Sequence, residues 1–161
     1  MESNLARLAV AALDRLGDHP SVFFEGAWVG SAEQLERASR LASGLVRLGV
    51  RPGDRVVVMM ANSPEVVQLY HAVWRAGAVV TPVIFLVTAP ELRHILDDAR
   101  ASVVFTTPEI LPKVLQARGE LPLPVVVLGG STNGETMSFA DFASNTEPLS
   151  IVDRSPDQLA A

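Results

Sequence analysis

Apolar and polar positions along the chain switch repeatedly between two periods. Leu5, Leu8, Ala9, Ala12, Leu13 and Leu16 recur at helical spacing and stop at Gly17, which predicts an amphipathic helix over 4–16. Val22, Phe23 and Phe24, then Ala27, Trp28 and Val29, flank Glu25-Gly26 and predict a short β-hairpin. Ser31 with Gln34 reads as a capping box. It opens a helix whose stripe is Leu35, Ala38, Leu41, Ala42, Leu45 and Leu48, closed by Gly49. Arg51-Pro52-Gly53-Asp54 is a turn that delivers the chain into residues 56–60, an unbroken apolar run suited to a strand covered on both faces.

The next residues repeat that alternation. Ser63 suits an N-cap, Pro64 the first helical position and Glu65 the positive end of the helix dipole. Val66, Leu69, Tyr70, Val73 and Trp74 give the helix its buried face, and Gly77 closes it. Residues 78–86 predict a second apolar strand. Thr88-Ala89-Pro90-Glu91 is a capping box ahead of Leu92, Ile95, Leu96 and Ala99, and residues 102–106 form a third strand. Thr107-Pro108-Glu109 opens another helix with Leu111, Val114 and Leu115 inward, its start shifted or kinked by Pro112 and its end at Gly119. Pro122 and Pro124 mark a loop, and residues 125–128 a fourth strand. Ser138, Phe139, Phe142 and Ala143 suggest a short helix, and 144–158 read as a polar connector. The fold class expected is α/β: a largely parallel sheet flanked by helices on both faces, with a short N-terminal β-hairpin.

Composition narrows this little. The chain of 161 residues is 48% hydrophobic and 19% charged, with positive mean hydropathy. The charge fraction falls below the roughly 25% of ordinary soluble domains, which suits buried parallel strands and a surface that another part of a larger protein covers. A net charge of −5 argues against nucleic acid as partner. The absence of cysteine removes disulfides, thiol catalysis and cysteine metal sites, and fits a cytoplasmic protein. No stretch reaches the roughly 20 apolar residues of a membrane helix.

Candidate chemistry is thin. Gly129-Gly130-Ser131-Thr132-Asn133-Gly134 follows a strand, yet Glu135 stands where a phosphate loop needs lysine, so a plain surface loop is expected. His19 lies in a solvated turn, His71 at the edge of a packed stripe and His94 on a polar helix side, and no two have metal spacing. Asp97 and Asp98 are adjacent on a helix and diverge by about 100°. Trp28 and Trp74 read as core or interface anchors. Ser63 lacks the flanking glycines of a nucleophile elbow, and capping accounts for it. No catalytic, cofactor-binding or metal-binding residue is assigned.

Trp74-Arg75-Ala76-Gly77-Ala78-Val79-Val80-Thr81-Pro82, followed by Thr88-Ala89-Pro90-Glu91-Leu92-Arg93-His94-Ile95-Leu96-Asp97-Asp98-Ala99-Arg100-Ala101-Ser102-Val103-Val104-Phe105, resembles the N-terminal region of the adenylate-forming enzymes. These are the acyl-CoA synthetases, the luciferases and the adenylation domains of peptide synthetases. The turn Gly49-Val50-Arg51-Pro52-Gly53-Asp54 and the order of elements before it match as well, so the resemblance spans nearly the whole chain. It departs after Thr81-Pro82. The family commonly has Leu-Asn-Pro there, whereas Val83-Ile84-Phe85-Leu86-Val87 is wholly apolar, implying a longer strand or an exposed apolar loop.

The resemblance implies that residues 1–161 are the N-terminal part of an AMP-binding large domain, cut before its phosphate loop; Asp157-Gln158-Leu159-Ala160-Ala161 is similar to the segment just ahead of that loop. It implies a parent ligase, most like a bacterial fatty-acyl-CoA ligase. Such an enzyme joins a fatty or aryl carboxylic acid to ATP as an acyl-adenylate and then to coenzyme A. ATP, Mg and coenzyme A are cofactors of that parent, and none is expected to bind these residues alone. Placed donors contribute about 3–4 kcal/mol each to such chemistry and positioning up to about 7–11 kcal/mol, so the chain by itself is expected to be inactive. The partner implied is the remainder of the same enzyme, and a homodimer would also cover a cut sheet. The alternatives are the adenylation domain of a peptide synthetase or other acyl-AMP ligase, and a stand-alone α/β binding or scaffold module.

Overall fold

A computed structural model describes residues 4–129, 134–144, 146–155 and 158. The elements run α1 (Leu5–Leu16), β1 (Pro20–Phe24), β2 (Ala27–Gly30), α2 (Ser31–Arg47), β3 (Arg55–Met59), α3 (Pro64–Arg75), β4 (Val79–Pro82), α4 (Ala89–Ala99), β5 (Ala101–Thr106), α5 (Leu111–Arg118), β6 (Val125–Val127), β7 (Met137–Ser138) and α6 (Phe139–Ala143). β1 and β2 form the expected antiparallel hairpin, turned by Glu25 and Gly26, both at positive φ. β3 to β7 make a five-stranded sheet in the order β4-β3-β5-β6-β7, every pair parallel.

The unbroken apolar runs follow from this topology. Alternate residues of a strand point to opposite faces, so a sheet covered twice must be apolar at every position. Val56, Val58, Val103, Phe105 and Val126 pack on one face with α2, α3 and α6. Val57, Met59, Val104, Val125 and Val127 pack on the other with α4 and α5.

Four expectations change. The strand expected over 78–86 ends at Pro82. Its neighbour β3 stops at Met59, so after the bond from Val83 N–H to the Val58 carbonyl (3.0 Å) no ladder remains to extend. Residues 83–87 instead turn back as an exposed loop. The Ser31–Gln34 capping box is absent: α2 is capped from outside by Asp18, whose carboxylate accepts from Ala32 N–H (3.0 Å) and Ser31 Oγ (3.1 Å). Those hydrogen bonds hold the Asp18 carboxyl below the ordinary carboxylate range. The helix expected from Thr107 begins at Leu111, with Pro112 in its first turn, where a missing N–H costs nothing. β7, two residues long, carries no periodicity to read.

The connector is not loose. Residues 146–155 form a strap without regular structure laid across α2, α3 and α1. Arg40 and Ser43 on α2 donate to the Thr146 and Glu147 carbonyls (3.0 and 2.5 Å). Arg75 on α3 donates to the Leu149 carbonyl at 2.5 Å and accepts from Val152 N–H at 2.9 Å. Asn4 donates to the Val152 carbonyl at 3.1 Å. α1 buries only Ala6 fully, and Leu5, Leu8 and Leu16 stay exposed on its apolar stripe.

Candidate functional site

In open parallel sheets the ligand crevice lies beyond the carboxyl ends of the strands, where neighbouring connections leave in opposite directions. Here β3 connects to β4 on one side and β5 lies on the other, so that point falls between β3 and β5. β3 runs out into Ala61-Asn62-Ser63 and β5 into Thr107-Pro108-Glu109. Ala61 N–H approaches Thr107 Oγ1 at 3.4 Å, and that hydroxyl donates to Glu109 Oε1 at 2.7 Å. The same hydroxyl, then the backbone, keeps the Glu109 carboxyl below its usual range. Thr106 is fully buried with Oγ1 unpartnered among the described residues.

Ser63 occupies the N-cap of α3 with extended backbone, as its place before Pro64 predicts. Its hydroxyl makes no capping bond and is buried without a partner among the described residues, so capping explains the position and not the side chain.

Beside this crevice, the exits of β3 and β4 and the first turns of α3 border an open groove of about 450 Å³, apolar but for Asn62 and the Tyr70 hydroxyl. Met60, Val66, Tyr70 and Phe85 are among the side chains that line it. Burial raises the Tyr70 hydroxyl's pKa, keeping it neutral. The 83–87 loop forms the rim and carries Ile84, Phe85 and Leu86 at 60, 54 and 71% exposure. Lys113 Nζ, the chain's single lysine, donates to the Phe85 carbonyl at 2.6 Å. The apolar side chains are thus held outward by a fixed backbone.

The remaining candidates do not converge on this end of the sheet. Residues 130–133 of the glycine loop lie outside the described residues; Gly129 and Gly134, at its margins, both take positive φ. His19 is not simply solvated: it is half-buried, its Nδ1 2.9 Å from the Gly17 carbonyl and 3.2 Å from Ser31 Oγ. His71 does sit at the edge of the α3 stripe, its ring edge-on to Trp74 at 5.2 Å, and burial lowers its affinity for a proton. His94 is exposed on α4. Asp97 pairs with Arg93 at 2.7 Å beside an exposed Asp98. Trp74 packs against the core, but Trp28 does not: it is 61% exposed on the hairpin, its ring 5.1 Å from Phe23. Among the described residues no three His, Cys, Asp or Glu side chains are placed to hold a metal ion. No helix among them is long and apolar enough to cross a membrane.

Sequence reasoning missed the roles of Thr106 and Thr107. Their signal was available as two hydroxyl residues directly after an apolar strand and before a proline.

The family described as AMP-binding enzyme matches residues 9–161. The chain is 47% identical over 78 residues to a feruloyl-CoA synthase of Amycolatopsis, covering 48% of this chain and 16% of that protein. It is 35% identical over 113 residues to the fatty acid–[acyl-carrier-protein] ligase ScoC of Streptomyces coeruleorubidus, covering 70% and 22%. ATP-bound MatB from Rhodopseudomonas palustris superposes with a TM-score of 0.83 at 29% identity over 99% of this chain and 31% of that one. The chain therefore spans less than a third of the length of each of these relatives.

Proposed function

This chain belongs to the AMP-binding enzyme family, and from that premise we propose that it is the N-terminal structural segment of an ATP-dependent acid–CoA ligase. In such a ligase a carboxylate oxygen attacks the α-phosphate of ATP, the α–β phosphoanhydride bond breaks and pyrophosphate leaves. The coenzyme A thiol then displaces AMP from the acyl-adenylate to give a thioester. Residues 1–161 supply a wall to that reaction and no participant in it.

One observation carries this reading. The family match runs through the whole sheet, yet the crevice at its carboxyl end presents hydroxyls and the Glu109 carboxylate rather than cations. A triphosphate with Mg does not fit the described residues. The only lysine is committed to the Phe85 carbonyl, and Glu109, ionised by its Thr107 bond, would repel phosphate. ATP, Mg and coenzyme A accordingly belong to the rest of the ligase.

The acid we favour is fatty rather than aryl, in keeping with the wholly apolar groove rim at Ile84, Phe85 and Leu86. The cover proposed for that rim is the remainder of the same enzyme rather than a second copy, and the location is the cytoplasm. The test is pyrophosphate release with ATP, Mg and a panel of fatty and aryl acids. The chain alone gives none, and mixing it with the remaining part of a related ligase restores turnover. Turnover by the chain alone, or tight ATP binding to it, would overturn the assignment.

A further inference from the structure

The hairpin pairs apolar residues throughout its ladder, with Val22, Phe23 and Phe24 of β1 facing Val29, Trp28 and Ala27 of β2. Alternate residues of a strand point to opposite faces, so both faces of the hairpin are apolar. Val22, Phe24 and Val29 are half-buried on one face. Phe23 and Trp28 share the other, 58 and 61% exposed, their rings 5.1 Å apart. No residue from Pro20 to Gly30 is fully buried. Two strands alone are marginal in water, and further strands or a covered face are needed. The two outer edges differ. β1 opens with Pro20 and carries Ser21 as an extra residue between Pro20 and Val22, two devices that block a further strand. β2 (Ala27–Gly30) has no proline, no charge and no extra residue. Phe24 and Ala27 close the two-residue turn, so the alternation of an antiparallel ladder directs Trp28 N–H and C=O to the outer edge. Neither makes a hydrogen bond there among the described residues.

We propose that the outer edge of β2 is the interface of a two-fold dimer, in which a second copy of this chain adds its own β2 antiparallel to the first. A two-fold axis makes the patch its own complement: Trp28 lies opposite Trp28 of the second copy, and Ala27 opposite Val29. The two Trp28 residues then exchange N–H···O=C bonds in both directions. An axis normal to the sheet keeps matching faces on one side. The two hairpins become four strands, and Phe23, the two Trp28 rings and the second Phe23 form one aromatic row, the kind of cross-strand neighbour that stabilises a sheet. The edge is uncharged, so nothing on the strand repels its own copy. Fully buried aromatics contribute about 150–250 Å² each, so the observed exposures leave about 250 Å² per copy and about 500 Å² in the pair. That is short of the roughly 1,000 Å² of a lasting interface, and the dimer is accordingly weak and reversible. The interface is independent of the ligase assignment, since no residue of the crevice or groove takes part.

The test is sedimentation equilibrium of the 161-residue chain over a range of concentrations. The average mass should rise reversibly from the 17.2 kDa of one chain toward twice that value. Exchange of the Trp28 amide should slow as concentration rises, whereas that of the Phe23 amide, on the outer edge of β1, should not. Trp28→Lys and Trp28→Glu should each weaken association at least tenfold, because like charges then meet across the axis. An equimolar mixture of the two variants should restore it, a rescue that two misfolded chains could not give. Where either variant fails to fold, Phe23→Thr, which keeps a strand-forming residue, should weaken association while the Trp28 amide stays protected at high concentration. Phe85→Asp with Leu86→Ser, at the separate rim, should leave the dissociation constant unchanged. A chain that stays monomeric up to about millimolar concentration, association indifferent to Trp28→Lys, no rescue on mixing, or association lost with the rim variant instead would each overturn the interface.

Discussion

Gly44 lies in the interior of α2, where alanine would ordinarily stabilise a helix by about 1 kcal/mol. Here the sign should reverse. A β-carbon at Gly44 would stand 2.8 and 2.9 Å from the Phe142 ring and 2.9 Å from the Phe142 carbonyl oxygen. Retreat is blocked for the oxygen. Arg47, one turn further along α2, donates to the carbonyls of Phe142 (2.7 Å), Ser144 (2.9 Å) and Asp141 (3.2 Å), so α6 is tied to the helix it would have to leave. Overpacking a filled interior costs about 1–3 kcal/mol, and a fixed backbone atom puts this case at the upper end. Net of propensity, Gly44→Ala should lose about 2 kcal/mol, or about 4–8 °C of thermal midpoint at this chain length. Urea unfolding followed by circular dichroism measures it. In a Phe142→Leu background, which removes the ring but not the carbonyl, the loss should shrink by at least about 1 kcal/mol. A rise in midpoint on Gly44→Ala would mean that α6 does not pack against α2 as described.

Three further outcomes follow from the same contacts. Thr106→Val removes a fully buried hydroxyl that has no partner among the described residues and should leave stability unchanged or raised, read from the same unfolding curves; a loss of more than about 1 kcal/mol would reveal a further partner. Phe85→Asp with Leu86→Ser should stay within about 0.5 kcal/mol of the parent chain, since both side chains are exposed, yet weaken association with the remainder of a ligase in a titration by calorimetry. Asp18 and Glu91 are held below their ordinary values of 3.8 and 4.5 by hydrogen bonds, chiefly from Ala32 N–H and Thr88 N–H. A depressed carboxyl contributes stability above its unfolded value and loses it as pH falls through the folded one. The urea midpoint should therefore be flat in these groups from pH 7 to about 5 and decline below about 4, and Asp18→Asn with Glu91→Gln should flatten that acid limb.

Where one physical rule governs an element, the sequence sufficed to place it. Thr88 and Glu91 form the full capping box at α4, because both partners lie within one turn. Ser31 and Gln34 carry the same pattern, yet Asp18, thirteen residues before Ser31, takes both the Ala32 N–H and the Ser31 hydroxyl, and the polar side chain left over is buried. The apolar run after Thr81 could not give its own end, because a strand stops where its neighbour stops and β3 is set elsewhere in the chain. The strap from Thr146 to Ser155 is held by Arg40 of α2 and Arg75 of α3, whose targets are backbone carbonyls and so leave no mark in the sequence of the segment they bind.

The strap also shows why a chain without an assigned catalytic group keeps so definite a shape. A β-carbon on Gly77 would meet Val152 Cγ1 at 2.9 Å, and Gly77 also takes φ of +70°, so two requirements fall on one position. Gly77 N–H bonds the Trp74 carbonyl at 3.1 Å, its own carbonyl accepts from Gly53 N–H at 2.8 Å, and Asp54 receives Val79 N–H at 2.8 Å. The end of α3, the turn into β3 and the start of β4 are thereby fastened at one point beneath the strap. That fastening sets the register of Arg55 against Val79, and with it the level at which β3 and β4 release their carboxyl ends into the groove. Substitution at Gly77 would therefore be felt at the Phe85 rim, at the far end of the strands it aligns, before any residue of the crevice had changed.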